Sequence, residues 1–167
     1  SLANSNGSIL SKNFLFNMVR PGIGLYGGNN KNKLLKHKIR PIIKLSGKII
    51  QIKLIDKNEF VGYNQTYKTK KKIKIAIIGA GYADGIPRML SNKGKVYYKN
   101  NRFKIIGRIS MDSFTIDITN SKHFLKVGSY IDLVNYEFDI EEFAKQTNSI
   151  SNEVITSIGE RVRRIYE

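Results

Sequence analysis

The sequence predicts a mainly β fold, a barrel or sandwich with two short helices near its carboxy end, and three observations carry that expectation. From Ile39 onward, short apolar runs recur with turn residues between them, the spacing of an all-β domain. Over residues 47–55 apolar and polar side chains alternate, which gives one face to a core and one to water. A length of 167 residues suits one packed domain with a substantial core and is too short for two large ones.

Taken in order, residues 1–28 form a first unit: a small polar turn, a short segment around residues 9–16, then residues 18–27, which read as a buried strand ending in a Gly-rich loop. The stretch Gly28-Asn29-Asn30-Lys31-Asn32-Lys33 has the composition of a linker and places a boundary near residue 36, separating 1–36 from 37–167. Strands are expected at residues 42–45, 48–55, 73–79, 95–98, 103–109, 114–118 and 130–134. Asp84-Gly85, Ser91-Asn92-Lys93-Gly94 and Lys99-Asn100-Asn101 supply the turns between them. Asp139 precedes Glu141 and Glu142 as an N-cap before acidic residues, so a helix is expected through Gln146, and a second over residues 151–158.

Composition removes whole classes of function. There is no cysteine, hence no disulfide framework, no thiolate nucleophile and no Cys-ligated metal or cluster. No apolar run approaches the roughly 18 residues of a membrane-spanning helix, and the first residues have neither the basic nor the apolar region of a secretory signal. A soluble, cytoplasmic protein is expected, and a chain that opens on SLANS without Met reads as a piece of something longer. The formal charge of +16, from 29 Lys+Arg against 13 Asp+Glu, raises nucleic acid as a partner. A basic β-barrel that binds single strands needs aromatics interleaved with Lys and Arg. Tyr97, Tyr98 and Phe103 lack that interleave, and the run from Tyr67 to Lys74 leads straight into an apolar strand, as a solvated loop does. Nucleic acid is therefore the second reading, and the Lys surplus reads as compositional drift.

Two segments are too unusual for scaffolding. GAGYADGIPRMLSNKG, residues 79–94, is a strand end that breaks into a Gly-flanked loop presenting Tyr82, and GRISMD, residues 107–112, is a second strand end rich in polar groups. Asp84, Asp112 and Asp117 have no His or Cys nearby, so no metal site is expected, and His37 and His123 read as surface residues.

GYADGIPRMLSNKG, then FKIIGRISMD and FTIDIT, resemble the carboxy-terminal domain of the alanine racemases, which use pyridoxal 5'-phosphate (PLP). Ala3-Asn4-Ser5 and residues 18–27 are similar to the last two strand-loop units of that family's PLP-binding (β/α)₈ barrel, and residues 153–166 to its terminal segment. The resemblance implies a β-barrel-like carboxy-terminal domain preceded by the trailing edge of a (β/α)₈ barrel. It implies a homodimer that interconverts L-alanine and D-alanine for cell-wall precursors, with each site shared between the barrel of one subunit and the β domain of the other. By resemblance Tyr82 is the base given to the partner's site, and Met111 contacts the substrate carboxylate through its backbone N–H. Ser5, Gly22 and Ile23 match the phosphate-binding positions, and Arg20 matches the Arg that faces the PLP ring nitrogen. Racemisation removes a proton from one face of the α-carbon and returns one to the other, so two bases must stand on opposite sides. The Lys to which the family attaches PLP has no counterpart here, which implies that this chain alone is inactive. It would then be a cut piece, half of a split enzyme completed by an amino-terminal barrel fragment, or the remnant of a degraded gene. Glu160 stands where some members place a phosphate-binding Tyr.

Overall fold

The computed structural model describes residues 2–28 and 39–166. The boundary expected near residue 36, most of the linker and His37 lie outside the described residues. The chain divides into two compact units, one of Ser1–Lys44 with Val134–Ile155, the other of Leu45–Leu133 with Thr156–Glu167.

The second unit is built on eight strands: β1 (Leu45–Ile55), β2 (Phe60–Val61), β3 (Tyr67–Lys68), β4 (Ile73–Gly79), β5 (Lys95–Tyr98), β6 (Asn101–Ile106), β7 (Phe114–Asp117) and β8 (Tyr130–Val134). Six of them close a barrel in the order β1-β4-β7-β6-β5-β8. The alternation read in β1 becomes pairing with β4 from Lys48 opposite Gly79 to Ile55 opposite Ile73, with a bulge between Ile49 and Gln51. The bulge inserts Ile50, which stays exposed, and bends the strand as barrel closure requires. Ile49, Ile75, Ile78, Val96, Ile105, Ile116 and Ile131 fill the buried core, and branched side chains of this kind suit a pleated, half-buried surface. Where β1 meets β8, the Ser46 hydroxyl donates to Asp132 Oδ1 at 2.6 Å, and Gly128 N–H donates to Ile49 O at 2.8 Å.

Strand positions differ from expectation in three places. β6 covers Asn101–Ile106 where residues 103–109 are expected, because the chain turns out of the ladder at Gly107, φ +73. Residues 42–45 contribute only Leu45, which runs on into one long β1. The hairpin β2–β3, with Phe60 opposite Lys68 and Val61 opposite Tyr67, is not foreseen because each strand is too short to show a period. Its anchor is Thr69, a buried polar residue. The Thr69 hydroxyl donates to Asp56 O at 2.6 Å and accepts from Glu59 N at 2.9 Å, which closes the loop. Val61 packs with Ile55, Ile73, Ile75 and Ile106, and Tyr67 lies against that cluster. Burial, and then the charge of Asp117, pushes the Tyr67 phenol above its ordinary pKa.

In the first unit, α1 (Ser5–Leu10) is capped by Asn4, whose side chain accepts from Gly7 N at 3.1 Å. It adds a third helix to the two expected from sequence. The expected helices are α2 (Ile140–Gln146) and α3 (Ser151–Ser157). Asp139 caps α2 as predicted, accepting from Glu141 N and Glu142 N, both at 3.0 Å. Residues 18–27, expected as a buried strand, form a single parallel bridge between Asn4 and Arg20 and a 3₁₀ turn at Ile23–Tyr26. With only that bridge among the described residues no ladder builds up, and Met18 and Val19 remain exposed. Parallel pairing is nonetheless the mode of a (β/α)₈ barrel.

Candidate functional site

Tyr82 sits where β4 runs out. The chain leaves Gly79 and enters a 3₁₀ turn over Tyr82–Asp84, held by Asp84 Oδ2 accepting from Gly81 N at 2.8 Å and by Asp84 N–H donating to Gly81 O at 3.0 Å. Gly85 follows at φ +88, the left-handed region that lets a glycine end the turn. Buried Ile86 and Leu90 anchor the loop beyond it. The second turn, residues 110–113, is closed on itself by Ser110, whose N–H donates to Ser113 O at 2.9 Å and whose hydroxyl accepts from Ser113 N at 3.1 Å.

Backbone seams the two turns together. Tyr82 N–H donates to Ser110 O at 3.1 Å and Ala83 N–H to Met111 O at 3.0 Å. The approach is so close that a Cβ on Gly81 would lie 2.2 Å from Met111 O, so only glycine fits there. The side chains of the turns point outward, with Tyr82 45% and Met111 51% exposed. Two of the residues singled out in the sequence are thereby presented as a pair on one rigid patch of the second unit.

Sequence reasoning missed the residue that ties this patch from outside. Arg161 Nη2 donates to Asp112 Oδ1 at 2.6 Å, and its Nε lies 3.5 Å from Asp84 Oδ1. These two carboxylates, Asp112 first, hold the guanidinium pKa above its ordinary value. No short-range signal links positions 84, 112 and 161. Asp117, the third Asp weighed from sequence, instead accepts from the Thr119 hydroxyl at 2.6 Å. His123 packs edge-on to Tyr98 with ring centroids 5.9 Å apart.

Ser5, Arg20, Gly22 and Ile23 converge separately, in the first unit, where all four line one cleft of about 360 Å³ together with Lys145 and Ser151. Such a volume is within the range of small-ligand sites. The Ser5 hydroxyl accepts from Gly22 N at 2.8 Å and Gly24 N at 3.1 Å. Its own proton stays available to a further acceptor. A Cβ on Gly22 would meet nothing within 4 Å, so the backbone there is open to an approaching group. Ser151 Oγ is buried and has no hydrogen-bond partner among the described residues. A hydroxyl donor, open backbone and a guanidinium make a donor set that fits a phosphorylated, aromatic cofactor such as PLP. Glu160 lies exposed in a turn of the second unit.

Comparison with known proteins identifies the family of the chain. The family model for "Alanine racemase, C-terminal domain" matches residues 42–166. The alanine racemase of Brucella ovis is 40% identical over 179 residues, covering 99% of this chain and 45% of that protein. That of Acidiphilium cryptum is 41% identical, covering 100% and 46%. Among solved structures, alanine racemase from Bartonella henselae with covalently bound pyridoxal phosphate superposes with a TM-score of 0.89 at 37% identity, covering 99% of this chain and 46% of that one. The chain spans less than half the length of the curated relatives it matches.

Proposed function

Because the chain belongs to the alanine racemase family, carrying its carboxy-terminal domain, we propose that it forms part of a PLP-dependent enzyme that interconverts L- and D-alanine. Tyr82 is the base it lends to the site of a partner subunit. The observation that carries this reading is the seam that presents an exposed Tyr82 beside Met111 on two turns locked by backbone hydrogen bonds. A base must stand about 2.6–3.2 Å from the atom that carries the proton, in a fixed direction, and a rigid turn at a strand end supplies that better than a mobile loop.

The four cleft residues divide the work of holding the cofactor. The Ser5 hydroxyl and the backbone N–H of Ile23 would hold the phosphate beside the open backbone of Gly22, whose own N–H is donated to Ser5 Oγ, and Arg20 would face the ring nitrogen. A guanidinium in that place would donate to the nitrogen and keep it unprotonated. When bound, PLP supplies the electron sink that makes an amino acid's α-proton acidic. Met111 N–H orients the substrate through its carboxylate, and Tyr82 Oη takes or returns the proton on one face. The opposite face needs a base from the PLP-bearing barrel half, so this chain by itself does not racemise alanine.

The test supplies that half, as one chain or as an added fragment, and follows conversion of each enantiomer of alanine. Wild type is expected to racemise. Tyr82→Phe is expected to lose at least about 100-fold in rate while the PLP absorbance band is retained. A Tyr82→Phe variant at the wild-type rate would refute the assignment.

A further inference from the structure

We propose that Arg161 is a positioning residue for the racemase site: one guanidinium bridges Asp84 and Asp112 and so fixes the separation of Tyr82 from the Met111 backbone. The inference rests on the reading of Tyr82 as the base.

Asp84 lies two residues beyond Tyr82 and Asp112 one beyond Met111, so each carboxylate belongs to the turn that carries one partner of the pair. Asp84 is used twice: Oδ2 accepts from Gly81 N at 2.8 Å, which shapes the Tyr82 turn, and Oδ1 faces Arg161 Nε at 3.5 Å. Asp112 takes the other arm of the guanidinium, Nη2, at 2.6 Å. The backbone seam holds the turns together on one side, and Arg161 spans them on the other.

Arg161 is itself held in place. A Cβ on Gly85 would lie 2.4 Å from Ser157 O and 3.0 Å from Ile158 Cα, so the tail runs directly against the end of the Tyr82 turn. Arg164 Nη2 donates to Ile158 O at 3.1 Å and folds the tail back on itself. The carboxy-terminal tail is thus clamped to the first turn and reaches the second through one side chain.

Exposure separates positioning from stability. The side chains of Arg161 and Asp112 are 53% and 63% exposed, and an ion pair in that setting adds little to folding because water and salt screen it; Asp84 is only 16% exposed, but it keeps the Gly81 N–H as a partner when Arg161 is removed. Geometry is affected differently, since a displacement of about 1 Å at a reacting group costs on the order of 100-fold in rate. The planar fork of Arg matters as well, because a lysine ammonium cannot offer two directed arms to two carboxylates.

The experiment compares Arg161→Gln, Arg161→Lys, Asp112→Asn and the double variant Arg161→Gln/Asp112→Asn in the assembled enzyme, with Tyr82→Phe alongside. Arg161→Gln is expected to lower kcat about tenfold, a fraction of the loss for a full 1 Å displacement. Its thermal midpoint should stay within about 2 °C of wild type and its PLP absorbance should be unchanged. Arg161→Lys should recover less than half of the loss. The double variant should be no slower than Arg161→Gln, since both changes break the same bridge. A kcat within twofold of wild type for Arg161→Gln, full rescue by Lys, or losses that multiply in the double variant would each overturn the proposal. If those results come with an inactive Tyr82→Phe, the bridge alone is wrong; an active Tyr82→Phe removes the base assignment and the bridge together.

Discussion

Gly81→Ala tests the seam that presents the site. The backbone at Gly81 is extended, φ −146 and ψ −163, so alanine adopts it without torsional strain. The penalty is therefore purely steric. The new methyl would meet Met111 O at 2.2 Å, Met111 C at 2.4 Å and Ser110 O at 2.4 Å, all of them backbone atoms. To reach even 3.0 Å the two turns must part by about 0.8 Å, which stretches the bonds from Tyr82 N and Ala83 N, now 3.1 and 3.0 Å, beyond hydrogen-bonding range. Two such bonds at about 0.5–1.5 kcal/mol each give a loss of roughly 1–3 kcal/mol. At this chain length that lowers the thermal midpoint by about 2–4 °C per kcal/mol. The same parting shifts Tyr82 relative to Met111 and should cost on the order of 100-fold in kcat. Urea and thermal unfolding read the first effect, and racemisation by the assembled enzyme reads the second. Wild-type stability together with wild-type rate in Gly81→Ala would refute the reasoning.

Two further predictions concern the β2–β3 hairpin. Thr69→Val removes the hydroxyl that serves Asp56 O and Glu59 N, and should destabilise the protein by about 1–3 kcal/mol in urea titration, the cost of leaving those groups without their partner. Tyr67 titrates in the folded protein above its ordinary value of 10.0, so the folded state keeps the phenolic proton to higher pH than the unfolded chain does. Its contribution is complete below pH 10 and is lost as pH rises through the folded pKa. The stability difference between wild type and Tyr67→Phe, measured by denaturant titration from pH 8 upward, should therefore be flat and then shrink above about pH 10. A difference that stays constant across that range would contradict it.

Much of the barrel was legible because its strands carry a local signal. Residues 73–79, 95–98 and 130–134 lie where the apolar runs and flanking turn residues place them, as β4, β5 and β8. The Asp139 cap likewise announces α2 from four consecutive residues. The two-residue strands β2 and β3 could not be seen, since two residues display no period and the buried Thr69 that secures them looks like a polar loop residue. Residues 18–27 misled for the opposite reason: their apolar content suggests a buried strand, but burial depends on neighbouring strands, and a single bridge to Asn4 is what the described residues provide. The site divides in the same way. The loops that carry Tyr82 and Met111 stand out through their Gly and polar residues, and the two residues themselves through the resemblance to the alanine racemases, whereas Arg161 meets Asp84 and Asp112 across long stretches of chain and is one of many cations in a strongly basic sequence.

The most direct test of the central claim is the exchange of each alanine enantiomer's α-proton with deuterated solvent in the assembled enzyme carrying Tyr82→Phe. With one base removed and the opposite one intact, one enantiomer should still exchange its α-proton at close to the wild-type rate while the other is slowed by at least about 100-fold, and racemisation should be lost. Equal exchange of both enantiomers in that variant would contradict the account, because Tyr82 would then serve neither face.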